Sequence, residues 1–179
     1  MKRVVHAPFI LAVSPSPRGF AFVLFEGPTT PFDWGIKDIR GGDKNPECLA
    51  AITKLVTDYH PSALVIEDAD AKGARRGERI RLLLAEVAKQ TTADGIAVVR
   101  YSRTQVRRTF AAEGVHTRPE IAKAVASRIA LFATRLPPFR KIWMSEDPRQ
   151  SLFDAAALGL TFFARAEGKA ALKGAHADG

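Results

Sequence analysis

A chain of 179 residues with a formal net charge of +8 and a single cysteine has the length of one ordinary domain. At 46% hydrophobic residues and a mean hydropathy of -0.06, it can bury a full core, which excludes a disordered polycation. Lone Cys48 excludes an internal disulfide framework and a cysteine-based zinc site, and no apolar run approaches the roughly 18 residues that cross a bilayer.

Lys2 and Arg3 lead only into a short stretch broken by His6 and Pro8, so no secretory leader is expected. A cytoplasmic protein with no membrane contact is the expectation. Phe9 to Val13 is a short apolar run that stops at Ser14-Pro15-Ser16-Pro17, as a buried strand stops at a turn. Phe20 to Phe25 predicts a second strand, closed by Gly27-Pro28, and Phe32 to Ile39 a third. The short links between them predict an antiparallel meander. The period then changes. Leu49, Ile52, Leu55 and Val56 predict a helix over 47–59 that Pro61 bars from continuing. Ala63 to Ile66 predicts a strand ending at Glu67. Arg76 to Gln90 is an amphipathic helix, Ile96 to Val99 a strand, and Thr104 to Ala112 a short helix. Thr117-Arg118-Pro119-Glu120 is a capping box with proline in the first turn, and it opens a helix carrying Ile121, Val125, Ile129 and Phe132. Pro137-Pro138 ends that helix and begins a loop through Trp143. Asp147-Pro148 reads as the cap of a final helix running to about Ala166, with a frayed tail from 166 to 179. The order implies an α/β mixed sheet with helices on its faces, in one domain over 1–165.

The charge is concentrated. Between Lys72 and Arg118 there are eleven basic residues and four acids, so this segment carries +7 of the net +8. Nine of those eleven bases are arginine, whose planar fork grips phosphate. The segment reads either as a nucleic-acid footprint or as a solvated face that keeps the protein soluble.

Several catalytic motifs are absent: there is no Walker loop, no Gly-x-Gly-x-x-Gly and no Gly-x-Ser-x-Gly. His6, His60, His116 and His176 are dispersed without metal-ligand spacing, and Cys48 has no histidine partner. Two carboxylates stand out. Glu67 comes directly after a buried strand, at the edge where open sheets bind ligands; its bland reading is a loop acid that caps the next segment. Asp154 lies in an apolar helix among small residues, where burial is costly unless the acid is paired or holds a metal; its bland reading is a place on the polar face.

An ordered set of segments carries a resemblance. They are Ile10-Leu11-Ala12-Val13-Ser14-Pro15, Arg18-Gly19-Phe20-Ala21-Phe22, Asp33-Trp34-Gly35, Val65-Ile66-Glu67, Gln105-Val106-Arg107-Arg108-Thr109 and Phe153-Asp154-Ala155-Ala156-Ala157-Leu158. Together they resemble the RuvC-type Holliday-junction resolvases, within the RNase H-like nucleases. The resemblance implies a three-layer α/β fold with a mixed five-stranded sheet and helices on both faces. It implies carboxylates that hold two Mg²⁺ (or Mn²⁺) ions about 4 Å apart for phosphodiester cleavage. It places Glu67 and Asp154 at two of the catalytic, metal-holding positions. The first-strand acid of the family falls on Ser14, and a second last-helix acid falls on Ser151. Glu146 and Asp147 lie about 10 to 12 Å before Asp154 if the chain is helical there, too far to substitute. The nucleic-acid-binding positions expected from the basic segment are Lys72, Arg75, Arg76, Arg79, Arg103, Arg107, Arg108 and Arg118. The partner implied is branched double-stranded DNA, bound by a homodimer. Two functional expectations result. One is a Mg²⁺-dependent endonuclease impaired by Ser14; the other is a non-catalytic DNA-binding relative that keeps the scaffold and the basic face.

Overall fold

The computed structural model describes residues 8–165 and Lys173, so the expected tail lies almost wholly outside the described residues. Strands β1 (Ile10–Ser16), β2 (Gly19–Gly27) and β3 (Thr30–Asp38) form the meander. Helix α1 (Lys44–Tyr59), strand β4 (Ala63–Glu67), helix α2 (Glu78–Ala93) and strand β5 (Ala97–Tyr101) come next. Helices α3 (Arg103–Ala111) and α4 (Arg118–Arg128), a 3₁₀ turn (Ala130–Arg135) and α5 (Gln150–Ala164) complete the chain. The five strands lie in the order β3-β2-β1-β4-β5. The first three are antiparallel, while β4 pairs parallel with both β1 and β5.

Alternation along the central strands divides two cores. Ile10, Ala12, Val23, Phe25, Ala63 and Val65 face α3, α4 and α5. Leu11, Val13, Phe22, Leu24, Leu64 and Ile66 face α1 and α2. The result is three layers, helices on both faces of a mixed sheet. Helix α5 reaches the sheet closely because Gly159 has no side chain: a Cβ there would stand 2.1 Å from Cε2 of the fully buried Phe25 ring.

Local chemistry sets the helix starts. Asp43 caps α1 by accepting the Asn45 N–H, and Thr117 and Glu120 form the expected capping box of α4. Ser102 and Gln105 form a second capping box at α3. Three boundaries differ from expectation. Strand β1 does not stop at Val13 but runs through Pro15 to Ser16, paired with β2 as far as Gly19. Proline is tolerated there because the pairing partner of Pro15 is Phe20 on one side, beyond the last β1–β4 pair at Ala12 on the other. Helix α4 ends at Arg128, and Phe132 falls in the 3₁₀ turn. Finally, α5 begins at Gln150 rather than at Asp147. The Asp147 carboxylate accepts instead from the Arg149 backbone N–H and guanidinium, which holds its pKa below the usual carboxylate value.

Candidate functional site

Parallel β1 and β4 carry their C-terminal ends to the same edge of the sheet. Ser14 and Glu67 are in phase with Ala12 and Val65, so both turn toward α5. Both are buried, at 1% and 6% exposure. Tyr101 lies opposite Glu67 on β5, and Asp154 is the fifth residue of α5. These four residues line one cavity with Arg76, Arg103, Arg107 and Arg118, walled by Val106, Ile121, Ala157 and Leu158. The three residues that the resemblance singled out, Ser14, Glu67 and Asp154, are thus brought together.

Their partners are arginines. The Nε–H of Arg76 donates to Glu67 Oε2 at 2.6 Å, and the Nε–H of Arg103 donates to Glu67 Oε1 at 3.0 Å. The Glu67 and Arg76 side chains are only 7% and 13% exposed, so theirs is a buried ion pair. On the other side of the cavity, Arg118 donates through Nε and Nη2 to both oxygens of Asp154. It also donates through Nη1 and Nη2 to Glu146, and Gln150 adds a bond to Asp154 Oδ1 at 3.2 Å. Burial opposes the Arg118 charge, but the bonds and charges of Asp154 and Glu146 outweigh it and raise the guanidinium pKa above its ordinary value. Glu146 reaches this cluster because the chain before Gln150 is not helical, so rise along a helix does not set its distance.

Among the remaining expected binding residues, Lys72 and Arg75 are exposed between β4 and α2, and Arg108 is exposed on α3. Arg79 spends its guanidinium inside the fold, on the Ser16 carbonyl at 3.0 Å and on Asn45 Oδ1 at 3.2 Å. Arg107 is exposed, lines the cavity, and has no hydrogen-bond or ion-pair partner among the described residues. Ser151 donates to the Pro148 carbonyl at 2.8 Å and is buried, so it fastens the start of α5.

This donor set does not fit a two-metal centre. Such a centre needs several carboxylates free to bridge and cap two divalent ions. Here the cavity holds two, and guanidiniums occupy both. Ser14 brings no charge. Among the described residues, no group of three or more His, Cys, Asp and Glu side chains is placed to hold a metal ion. The arginine clamps were not foreseen from the sequence, where these residues counted only as phosphate contacts. The excess of arginine beside a site short of acids was the available signal.

No protein-family model matches the sequence, and no curated protein sequence matches it. Solved structures do. Thermus thermophilus RuvC in complex with a Holliday junction substrate matches with a TM-score of 0.64 at 14% identity, over 89% of this chain and 95% of that one. A second structure of Thermus thermophilus RuvC gives 0.64 at 17% identity over the same shares. The yeast mitochondrial Holliday junction resolvase gives 0.63 at 12% identity, over 97% of this chain and 83% of that one. The chain therefore has the RuvC-type RNase H-like fold.

Proposed function

We propose that this chain binds the phosphate backbone of structured DNA, branched duplexes above all, and holds it without two-metal cleavage. The observation that carries the reading is the closure of Glu67 and Asp154 by Arg76, Arg103 and Arg118. The acids are retained, but they position guanidiniums instead of offering free oxygens. The surrounding charge supports the same reading. Lys72, Arg75, Arg100, Arg103, Arg107 and Arg108 are all exposed around this edge of the fold. Likeness in fold to a protein solved on a Holliday junction supports a branched partner. A two-fold dimer would match the symmetry of a four-way junction.

The experiment is binding of a labelled four-way junction and of a linear duplex, measured by fluorescence anisotropy across a salt series. If those six cations each meet a phosphate, affinity falls on the order of 10³-fold between 50 and 200 mM salt. Junction and duplex that both fail to bind at 50 mM salt would overturn the reading. The other functional expectation, an impaired Mg²⁺- or Mn²⁺-dependent nuclease, requires nicked product in the same mixtures once the divalent ion is added.

A further inference from the structure

The four cavity arginines are not equivalent. Four of the five N–H donors of the Arg118 guanidinium go to Asp154 or Glu146, which leaves one on Nη1. Arg76 and Arg103 each spend only Nε–H, both on the same carboxylate, and keep their terminal nitrogens. Arg107 spends nothing among the described residues. Three guanidiniums with open donors therefore surround one carboxylate, a local excess of two positive charges. Ser14 adds a hydroxyl to the lining, and Val106, Ile121, Ala157 and Leu158 make the wall apolar, which strengthens charge interactions inside.

Size selects the ligand. The cavity volume is about 100 Å³. That is room for several waters, but far below the roughly 300–1,000 Å³ of a pocket that encloses a drug-sized molecule. The cavity is too small to enclose a nucleoside, and a single tetrahedral oxyanion matches its size. Arginine forks bind such oxyanions with two parallel N–H bonds each.

We infer that this cavity takes one phosphoryl group directly on Arg76, Arg103 and Arg107, with Ser14 beside it. Glu67 then serves as a positioning residue: it fixes two of the forks by their Nε–H and leaves their terminal nitrogens to the ligand. The inference deepens the nucleic-acid reading and rests on it for the source of the phosphate. That source is either a backbone phosphodiester or a terminal phosphomonoester.

The test uses the full chain with inorganic phosphate as the probe, measured by calorimetry against chloride at equal ionic strength. Arg107→Gln removes a cavity donor that holds nothing else in place. Arg108→Gln removes the same charge one residue away and outside the cavity lining. Phosphate binding that weakens at least tenfold in Arg107→Gln and less than twofold in Arg108→Gln is expected. Two results overturn the inference: no phosphate binding beyond chloride, or equal weakening in both variants. Competition separates the sources. A backbone site has phosphate displacing a labelled four-way junction. A terminal site has a 5′-phosphorylated strand binding more tightly than its 5′-hydroxyl twin, a difference that Arg107→Gln removes. Junction binding without phosphate binding overturns the cavity and leaves the DNA reading standing. Phosphate binding without binding of either junction or duplex upholds the cavity and overturns the DNA reading.

Discussion

Replacing Glu67 by glutamine separates a carboxylate that positions arginines from one that waits for metal. Among the described residues Glu67 is the sole carboxylate partner of Arg76, whose side chain is 13% exposed. Its second partner, Arg103, is 45% exposed. Breaking a buried pair by removing one member costs about 3–5 kcal/mol, because the remaining charge is left uncompensated. The bond to half-exposed Arg103 adds at most about 1 kcal/mol. Glutamine still accepts one hydrogen bond, so the lower end applies, about 3 kcal/mol. For a domain of this size that corresponds to a fall in Tm of roughly 6–12 °C. The assay is urea unfolding and thermal melting in EDTA, with Glu146→Gln as an exposed control expected to cost under about 1 kcal/mol. A free metal-ligand carboxylate behaves oppositely: without the ion, its neutralisation leaves stability unchanged or raises it. Wild-type stability or better in Glu67→Gln would refute the clamp.

Two further outcomes test the scaffold. Gly159→Ala gains about 1 kcal/mol in helix propensity, yet the new Cβ would stand 2.1 Å from the buried Phe25 ring. Overpacking of that kind costs about 1–3 kcal/mol, so net destabilisation in urea is expected, and a stabilised variant would show that α5 does not sit so close. Tyr59 donates to Asp33 Oδ2 at 2.7 Å, and this bond, with burial and nearby acids, raises its pKa above 10.0. A raised value means the contribution is complete below the unfolded pKa near 10 and is lost as pH rises through the folded value. The stability gap between wild type and Tyr59→Phe, about 1 kcal/mol at pH 9, should therefore shrink by pH 11; a gap that holds or widens contradicts the assignment.

Much of the fold was legible because its signals are local. Short continuous apolar runs marked β1, β2 and β4, and the Thr117–Glu120 box marked the start of α4 at the residue where it occurs. The end of β1 was misread because two prolines looked like a turn, whereas the antiparallel pairing of Pro15 with Phe20 tolerates one of them. The site was half legible. The place of Glu67 after a buried strand marked it, the resemblance marked Ser14, and small residues in α5 pointed to close approach by Asp154. What charge counting could not reveal was the pairing. Glu67 and Arg103 are 36 residues apart, as are Arg118 and Asp154. Such contacts exist only once β4, α3, α4 and α5 have packed together. A tally of arginines therefore reads as a uniform grip, while the structure divides them into Arg118, which spends four of its five donors on Asp154 and Glu146, and Arg76, Arg103 and Arg107, which keep both terminal nitrogens open.

On the proposed reading, arginines stand at this sheet edge where a nuclease would hold metal. The most direct measurement incubates wild type with a labelled four-way junction in Mg²⁺ and, separately, in Mn²⁺, and resolves bound complex and cleaved strands from the same samples. The account expects a saturable complex and intact strands with either ion. Strand cleavage that depends on the divalent ion and disappears in Glu67→Gln would contradict it.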